Sequence, residues 1–291
     1  TFLKGELGPH GEVRGERVNV LPNGEKLEKA FSLFAPHLTI HDEKTNDHWD
    51  VLFQNPNGSL AHVYSVEKRK KSKQKKYIEV QEFKKRLPQL QRRLEKAIKN
   101  KEMIALPLYT LIKTCMRVGN DHSDRSFGHK GLTTLNKHNV KVEKDHVTFD
   151  YIGKDGVPQK VKEKFPKIYI VHLDKHIKPL KKGDRIFKNE HGGMLRDTHL
   201  EDGFLKYSGK KFYPHIVRSY YATEKVAQFL HKNPRPTKQE IKQLYNEIAE
   251  KLGHKKFSKK DNTWNTSHTI TVAHYIDPAL VEKINSIILE T

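Results

Sequence analysis

Residues 68–76 read Lys-Arg-Lys-Lys-Ser-Lys-Gln-Lys-Lys, and a stretch so densely charged cannot enter a core. Anything buried has to be assembled on one side of it or the other. The run is therefore read as a domain boundary, either a solvated, mobile linker or a strap laid on phosphates. The two sides differ in pattern. Residues 1–78 carry short apolar runs punctuated by Gly5, Gly8, Gly11, Gly15 and the turn Pro22-Asn23-Gly24. Residues 49–54 and 60–66 flank Asn55-Pro56-Asn57-Gly58, a β-hairpin signal, while residues 26–34 read as one short helix. Residues 79–291 are dominated by helical spacing. Phe83, Leu87, Leu90, Leu94 and Ile98 recur three or four apart, with Pro88 expected to kink or loosen their helix. Residues 104–116 are apolar enough for a buried helix.

Between helices, residues 140–142, 147–152 and 159–162 alternate around Gly153-Lys154-Asp155-Gly156 and predict a small antiparallel sheet with Lys154 at a hairpin tip. Thr237 with Glu240 forms a capping box for a helix whose stripe is Ile241, Leu244, Tyr245, Ile248 and Leu252, stopped by Gly253. Residues 255–265 read as a polar, basic linker. Asp277-Pro278 opens a last helix with Val281, Ile284, Ile287 and Ile288 on one face, which places Tyr275 just ahead of a positive helix end. The expected fold class is α+β: a small β-rich N-terminal domain (1–78) and a larger, mostly helical domain (79–291) containing a small antiparallel sheet.

Charge narrows the partner. Among 291 residues, Lys+Arg number 55 and Asp+Glu 35, a formal net charge of +20. That exceeds what solubility requires and points to a polyanion, most simply nucleic acid. A membrane-surface protein would show similar charge, but no apolar run approaches the ~18 residues of a span and no lipidation motif occurs. Cys115 is the only cysteine, which excludes a disulfide within the chain and fits a reducing cytoplasm. The 18 histidines are scattered without metal-ligand spacing, and no GxxxxGK[ST] loop is present, so no cofactor is expected.

Taken singly, the chemistry-bearing residues have ordinary explanations. An arginine at the mouth of a buried helix usually pairs with a carboxylate, a hairpin-tip lysine is usually solvated, and a tyrosine at a helix entrance usually packs. Their order is more specific. Arg117-Val118-Gly119-Asn120 is followed by Gly131-Leu132-Thr133-Thr134-Leu135, Gly153-Lys154-Asp155-Gly156 and His215-x-x-Arg218. The helix end Lys251-Leu252-Gly253-His254 and Tyr275-Ile276-Asp277-Pro278 complete the series. From about residue 49 onward this succession resembles the type IB DNA topoisomerases, particularly their bacterial and poxvirus-type branch.

The resemblance implies a C-shaped clamp, a monomer acting on double-stranded DNA in the cytoplasm and associated with the nucleoid. It implies Tyr275 as nucleophile forming a 3′-phosphotyrosyl link, Arg117 and Arg218 as phosphate clamps, and Lys154 as general acid for the leaving 5′ oxygen. His215 occupies the first position of the second basic motif. Neither ATP nor metal is implied. The chain departs from the pattern at the histidine ahead of the nucleophile. His254 keeps the helix-end context, with residues 255–266 as an insertion of the kind that larger relatives carry; His268 is the alternate, nearer to Tyr275. The basic run, Lys68, Arg69, Lys70, Lys71, Lys73, Lys75 and Lys76 with Tyr77, is expected to contact DNA. Two other readings remain at this point: a tyrosine recombinase or integrase, which shares the chemistry, and a basic DNA-binding protein without activity.

Overall fold

A computed structural model describes residues 5–7, 13–15, 17–41 and 49–289; the expected turn residues Gly8 and Gly11 lie outside them. Two compact units divide the chain, Thr1–Ile78 and Glu79–Thr291. Helix and sheet are mixed, with nine α-helices and only small antiparallel sheets of two or three strands among the described residues, and no barrel.

In the first unit β1 (Gly5–Leu7) pairs with β2 (Val13–Gly15), and β3 (Arg17–Val20) with β4 (Lys26–Ser32). The helix expected over 26–34 is therefore a strand. Leu27 and Phe31, its two buried residues, are four apart, which suits one helical face and one strand face equally; pairing with β3 decides for the strand. β5 (Thr39–Ile40), β6 (Val51–Gln54) and β7 (Leu60–Val63) form a second sheet. The β6–β7 hairpin turns at Asn55-Pro56-Asn57-Gly58 as expected, with Gly58 at φ +80°. Leu21, Leu27, Phe31, Val51 and Val63 make this unit's core.

The run at 68–76 is not a mobile linker. It is helical, forming the opening turns of α1 (Val66–Lys99). Lysine is a good helix former, and the charge is partly balanced locally. Lys68 pairs with Asp50 at 2.9 Å, Arg69 with Glu28 at 2.8 Å, and the Lys68 amide donates to Ser65 Oγ at the helix entrance.

In the second unit, the stripe from Phe83 to Ile98 on α1 is buried, and the helix continues through Pro88. α2 (Ala105–Thr114) is buried over most of its length. The short α3 (Asp121–Phe127), which sequence patterning missed, is capped by Asn120, whose side chain accepts from the Ser123 amide. β8 (Val140–Val142), β9 (His146–Ile152) and β10 (Pro158–Lys164) form the expected sheet in the order β10-β9-β8. α4 (Lys167–Ile177), α5 (Asp197–Ser208), α6 (Ile216–Lys232) and α7 (Lys238–Lys251) follow, α7 opening with the predicted capping box.

The expected linker at 255–265 is a hairpin of β11 (Lys255–Ser258) and β12 (Thr263–Thr266), clasped by Phe257 against Trp264 with ring centroids 5.3 Å apart. Two apolar residues among so many lysines carry little periodic signal. α8 (Thr269–Tyr275) and α9 (Pro278–Leu289) end the chain, Asp277 Oδ1 accepting from the Ala279 amide. Tyr275 thus closes α8 as well as preceding α9, so two helix ends of opposite polarity meet near it.

Candidate active site

Arg218 sits in the first turn of α6 with 1% of its surface exposed. A guanidinium there needs acceptors, and two distant segments provide three of them. Nη1 donates to the Cys115 carbonyl at 2.6 Å, and Nη2 donates to the Leu252 carbonyl and to His254 Nε2, each at 2.9 Å. Cys115 can present its carbonyl because α2 ends there in the left-handed region, at φ 56°. No carboxylate pairs with Arg218 among the described residues, and its buried Nε has no acceptor.

Two residues past Cys115, Arg117 leaves α2 on an extended segment held by the Gly131–Leu135 stretch. The Leu132 amide donates to the Arg117 carbonyl at 2.9 Å and the Thr133 amide to the Val118 carbonyl at 2.6 Å. Glycine at 131 is a packing requirement: a Cβ there would lie 2.5 Å from the Gly119 nitrogen and 2.7 Å from the Arg117 carbonyl oxygen. Within that motif a 3₁₀ turn (Leu132–Thr134) braces the Arg117 backbone.

His254 follows α7 through Gly253, at φ +68°. It is 7% exposed, and Nδ1 lies 2.7 Å from Thr271 Oγ1. Burial, then the charges of Arg218 and Arg117, push its pKa down to about 3, so the ring is neutral at ordinary pH. Its centroid is 5.0 Å from that of Tyr275.

Tyr275 is itself buried, with the Arg218 guanidinium 5.0 Å from its ring centroid. Burial would raise the phenol's pKa, but the charges of Arg218 and Arg117 and the hydrogen bonds from both outweigh it and hold the pKa below the usual tyrosine value. Tyr151 shows the contrast: it feels the same two arginines, yet burial prevails and takes it up to about 12. Thr223 on α6 fixes the backbone around Tyr275, donating to the Tyr275 carbonyl at 3.3 Å and accepting from the Asp277 amide at 3.2 Å.

A cavity of about 460 Å³ opens at this place, lined by Arg117, Lys154, Arg218 and His254 among others. Tyr275 does not line it, but the two arginines beside its phenol do. Lys154 is exposed on the β9–β10 turn, beside Asp155 at φ 62°. The structure therefore gathers Arg117, Arg218, His254 and Tyr275 and places Lys154 on the same cavity.

Neither His215 nor His268 lines that cavity. His215 stacks on the exposed Tyr213 at the entrance to α6, with centroids 5.3 Å apart, and is not part of the cavity wall. The Nδ1 of His268 is 2.7 Å from Asn246 Oδ1 on α7. In the first unit Lys70, Lys73 and Lys75 are exposed on α1, Lys71 lies 3.7 Å from Glu67, and Tyr77 is buried. Lys76 is pushed down to about 8 by burial, with Lys73 adding to the effect.

Sequence reasoning missed Thr271, Thr223 and Lys130, the last a cavity residue paired with Asp124 at 2.8 Å. Lys255 and Lys256 also line the cavity; the lysine-rich stretch is plain in the sequence, but its place is not. Among the described residues no group of three or more His, Cys, Asp or Glu converges as a metal site, and no helix is long and apolar enough to cross a membrane.

Among solved structures the chain is similar to a XerH site-specific recombinase bound to difH substrate in a pre-cleavage complex. The identity is 17%, over 68% of this chain and 52% of that one, with a TM-score of 0.39. The post-cleavage complex of XerH with palindromic difH gives 18% identity over 63% and 49%, with a TM-score of 0.38. The chain thus spans about half the length of these recombinase chains. No curated protein sequence matches it. The family comparison is of another order: residues 65–278 match the family described as eukaryotic DNA topoisomerase I, catalytic core. That span covers well over half of the chain and contains Arg117, Lys154, Arg218, His254 and Tyr275, so the chain belongs to the family of the eukaryotic DNA topoisomerase I catalytic core.

Proposed function

We propose that the chain is a type IB DNA topoisomerase that relaxes supercoils by transient cleavage of one strand. The phenol oxygen of Tyr275 attacks a backbone phosphorus, and the bond from phosphorus to the 5′ oxygen breaks. The phosphate is left on the tyrosine at the 3′ side of the break. Lys154 protonates the departing oxygen, so a 5′-hydroxyl is released. After the duplex swivels, that hydroxyl attacks the phosphotyrosine and the steps reverse. The phosphodiester energy is held in the covalent link, so the reaction calls for neither ATP nor metal.

The observation that carries this reading is a buried tyrosine hydrogen-bonded by two arginines, neither of them paired with a carboxylate among the described residues. A phosphate under attack gains negative charge on its non-bridging oxygens, and fixed donors stabilise that charge most where it develops. The same guanidiniums favour the phenolate, which at an ordinary tyrosine pKa of about 10 would be scarce at neutral pH.

The test is relaxation of supercoiled plasmid in EDTA without ATP. Wild type should yield a ladder of topoisomers and a denaturation-resistant protein–DNA adduct, and Tyr275→Phe neither. Site-specific joining of two DNAs without relaxation would transfer the same chemistry to a recombinase. Binding with no adduct from wild type would sink the enzymatic reading.

A further inference from the structure

We propose that Thr271 is a positioning residue that governs which ring nitrogen of His254 carries the proton, its hydroxyl reversing the sense of its hydrogen bond when a phosphate enters beside Arg218. This rests on the phosphate-binding reading of the cavity given above.

Arginine has only donors, so the 2.9 Å contact between Arg218 Nη2 and His254 Nε2 requires Nε2 to accept. A neutral imidazole then carries its proton on Nδ1, and Nδ1–H donates to Thr271 Oγ1 at 2.7 Å. That is the wrong tautomer for a phosphate. A non-bridging oxygen is an acceptor, and it would meet the Nε2 lone pair. To help bind the anion the ring must present Nε2–H.

Two routes lead there. The ring can gain a proton and become an imidazolium, which the surrounding charge opposes. From α6 it faces Arg218, from the segment after α2 Arg117, and from α8 His274 and the Tyr275 ring; Lys251 and Lys255 flank it in the chain. Alternatively, it can lose the Nδ1 proton to solvent and take one at Nε2, with no net change in charge, while the Arg218 Nη2–H that Nε2 had accepted turns to the phosphate oxygen. Nδ1 then becomes a buried acceptor that needs a donor. Thr271, itself fully buried, is the side chain placed to supply one, because a hydroxyl donates or accepts by turning about its C–O bond. Thr271 stands one helical turn before Tyr275 on α8, so the same short helix holds the nucleophile and the hydroxyl that orients the histidine.

The test compares Thr271→Val with Thr271→Ser in single-turnover cleavage of a duplex, alongside thermal unfolding of each protein. Valine keeps the shape and removes the hydroxyl; serine keeps the hydroxyl and deletes a methyl from a packed site. The hydroxyl role predicts that valine slows cleavage by roughly tenfold to a hundredfold and that serine, despite the methyl it deletes, stays within about threefold of wild type. A packing role predicts the opposite order, with serine the poorer in both measurements, and that result would overturn the proposal. Equal cleavage by wild type and valine would do the same. Nitrogen-15 spectra of histidine-labelled protein provide an arm independent of activity. His254 should carry its proton on Nδ1 in the DNA-free protein and on Nε2 once a duplex is added to Tyr275→Phe. A ring already protonated at Nε2 without DNA contradicts the inference. If wild type makes no adduct but the DNA-free spectrum shows Nδ1–H, the functional reading has failed and the hydrogen-bond assignment stands.

Discussion

A single side chain concentrates the chemistry. Tyr275 has a lowered pKa because two guanidiniums overcome the effect of burial, and that balance is testable by pH. The phenolate is the nucleophilic form, so single-turnover cleavage should rise with pH and level off below the value of about 10 for a free phenol. Arg117→Ala removes one of the two lowering charges. The midpoint should move to higher pH, and the plateau should fall by about a hundredfold, the usual cost of one preorganised donor. An unmoved midpoint would mean that Arg117 does not act on the phenol. The two histidines separate at the same scale. His254 touches Arg218 and lies with its ring tilted against Tyr275, whereas His268 bonds to Asn246 on α7. Cleavage by His254→Ala should drop by about a hundredfold, and His268→Ala should stay within a few-fold of wild type. Near-normal rates for the first variant would return the role to His268.

The elements explain why residues so far apart in sequence converge. α2 ends in a left-handed turn that frees Arg117, the 3₁₀ turn at Leu132–Thr134 braces it, and the Gln159 side chain on β10 ties the sheet to the Gly253 carbonyl at 2.9 Å. The brace relies on backbone meeting backbone at Gly119 and Gly131, where no flexible side chain can give way. Gly131→Ala should therefore cost about 1–3 kcal/mol of stability through overpacking. Because the strain falls on the Arg117 carbonyl, cleavage should fall further than the drop in stability explains. Denaturant unfolding beside single-turnover rates checks this, and a variant normal in both would refute the close approach. Gly131 and Gly119 were visible as a motif in the sequence. That they touch each other was not, because contact between stretches 12 residues apart leaves no periodic trace.

For the whole molecule the governing quantity is a net charge of +20. If it is used on DNA through 6–10 phosphate contacts, affinity should fall by roughly 10³–10⁵ between 50 and 200 mM salt. Replacing Lys70, Lys73 and Lys75 on α1 by glutamine should then reduce the log–log slope by about 0.9 for each phosphate that is no longer neutralised, with helix content unchanged. A slope equal to that of wild type would remove those lysines from the interface.

The sequence by itself determined the β-rich beginning, the helices with a clean apolar stripe, the capping box at Thr237, the β9–β10 hairpin under Lys154, and Arg117, Arg218 and Tyr275, with a histidine at 254 or 268, as parts of one motif. Periodicity, turn chemistry and motif order are local or ordinal, and a sequence preserves them. Tertiary structure alone decided that residues 26–32 pair as a strand, that the lysine run is helical and that the stretch after His254 folds into a hairpin. It also set His254, and not His268, against Arg218 and brought Thr271 and Thr223 beside His254 and Tyr275. Each of these depends on what lies across from a residue in space: a partner strand, a counter-charge from another segment, a carbonyl that a buried guanidinium must find. Such partners come from distant parts of the chain, and only folding selects them.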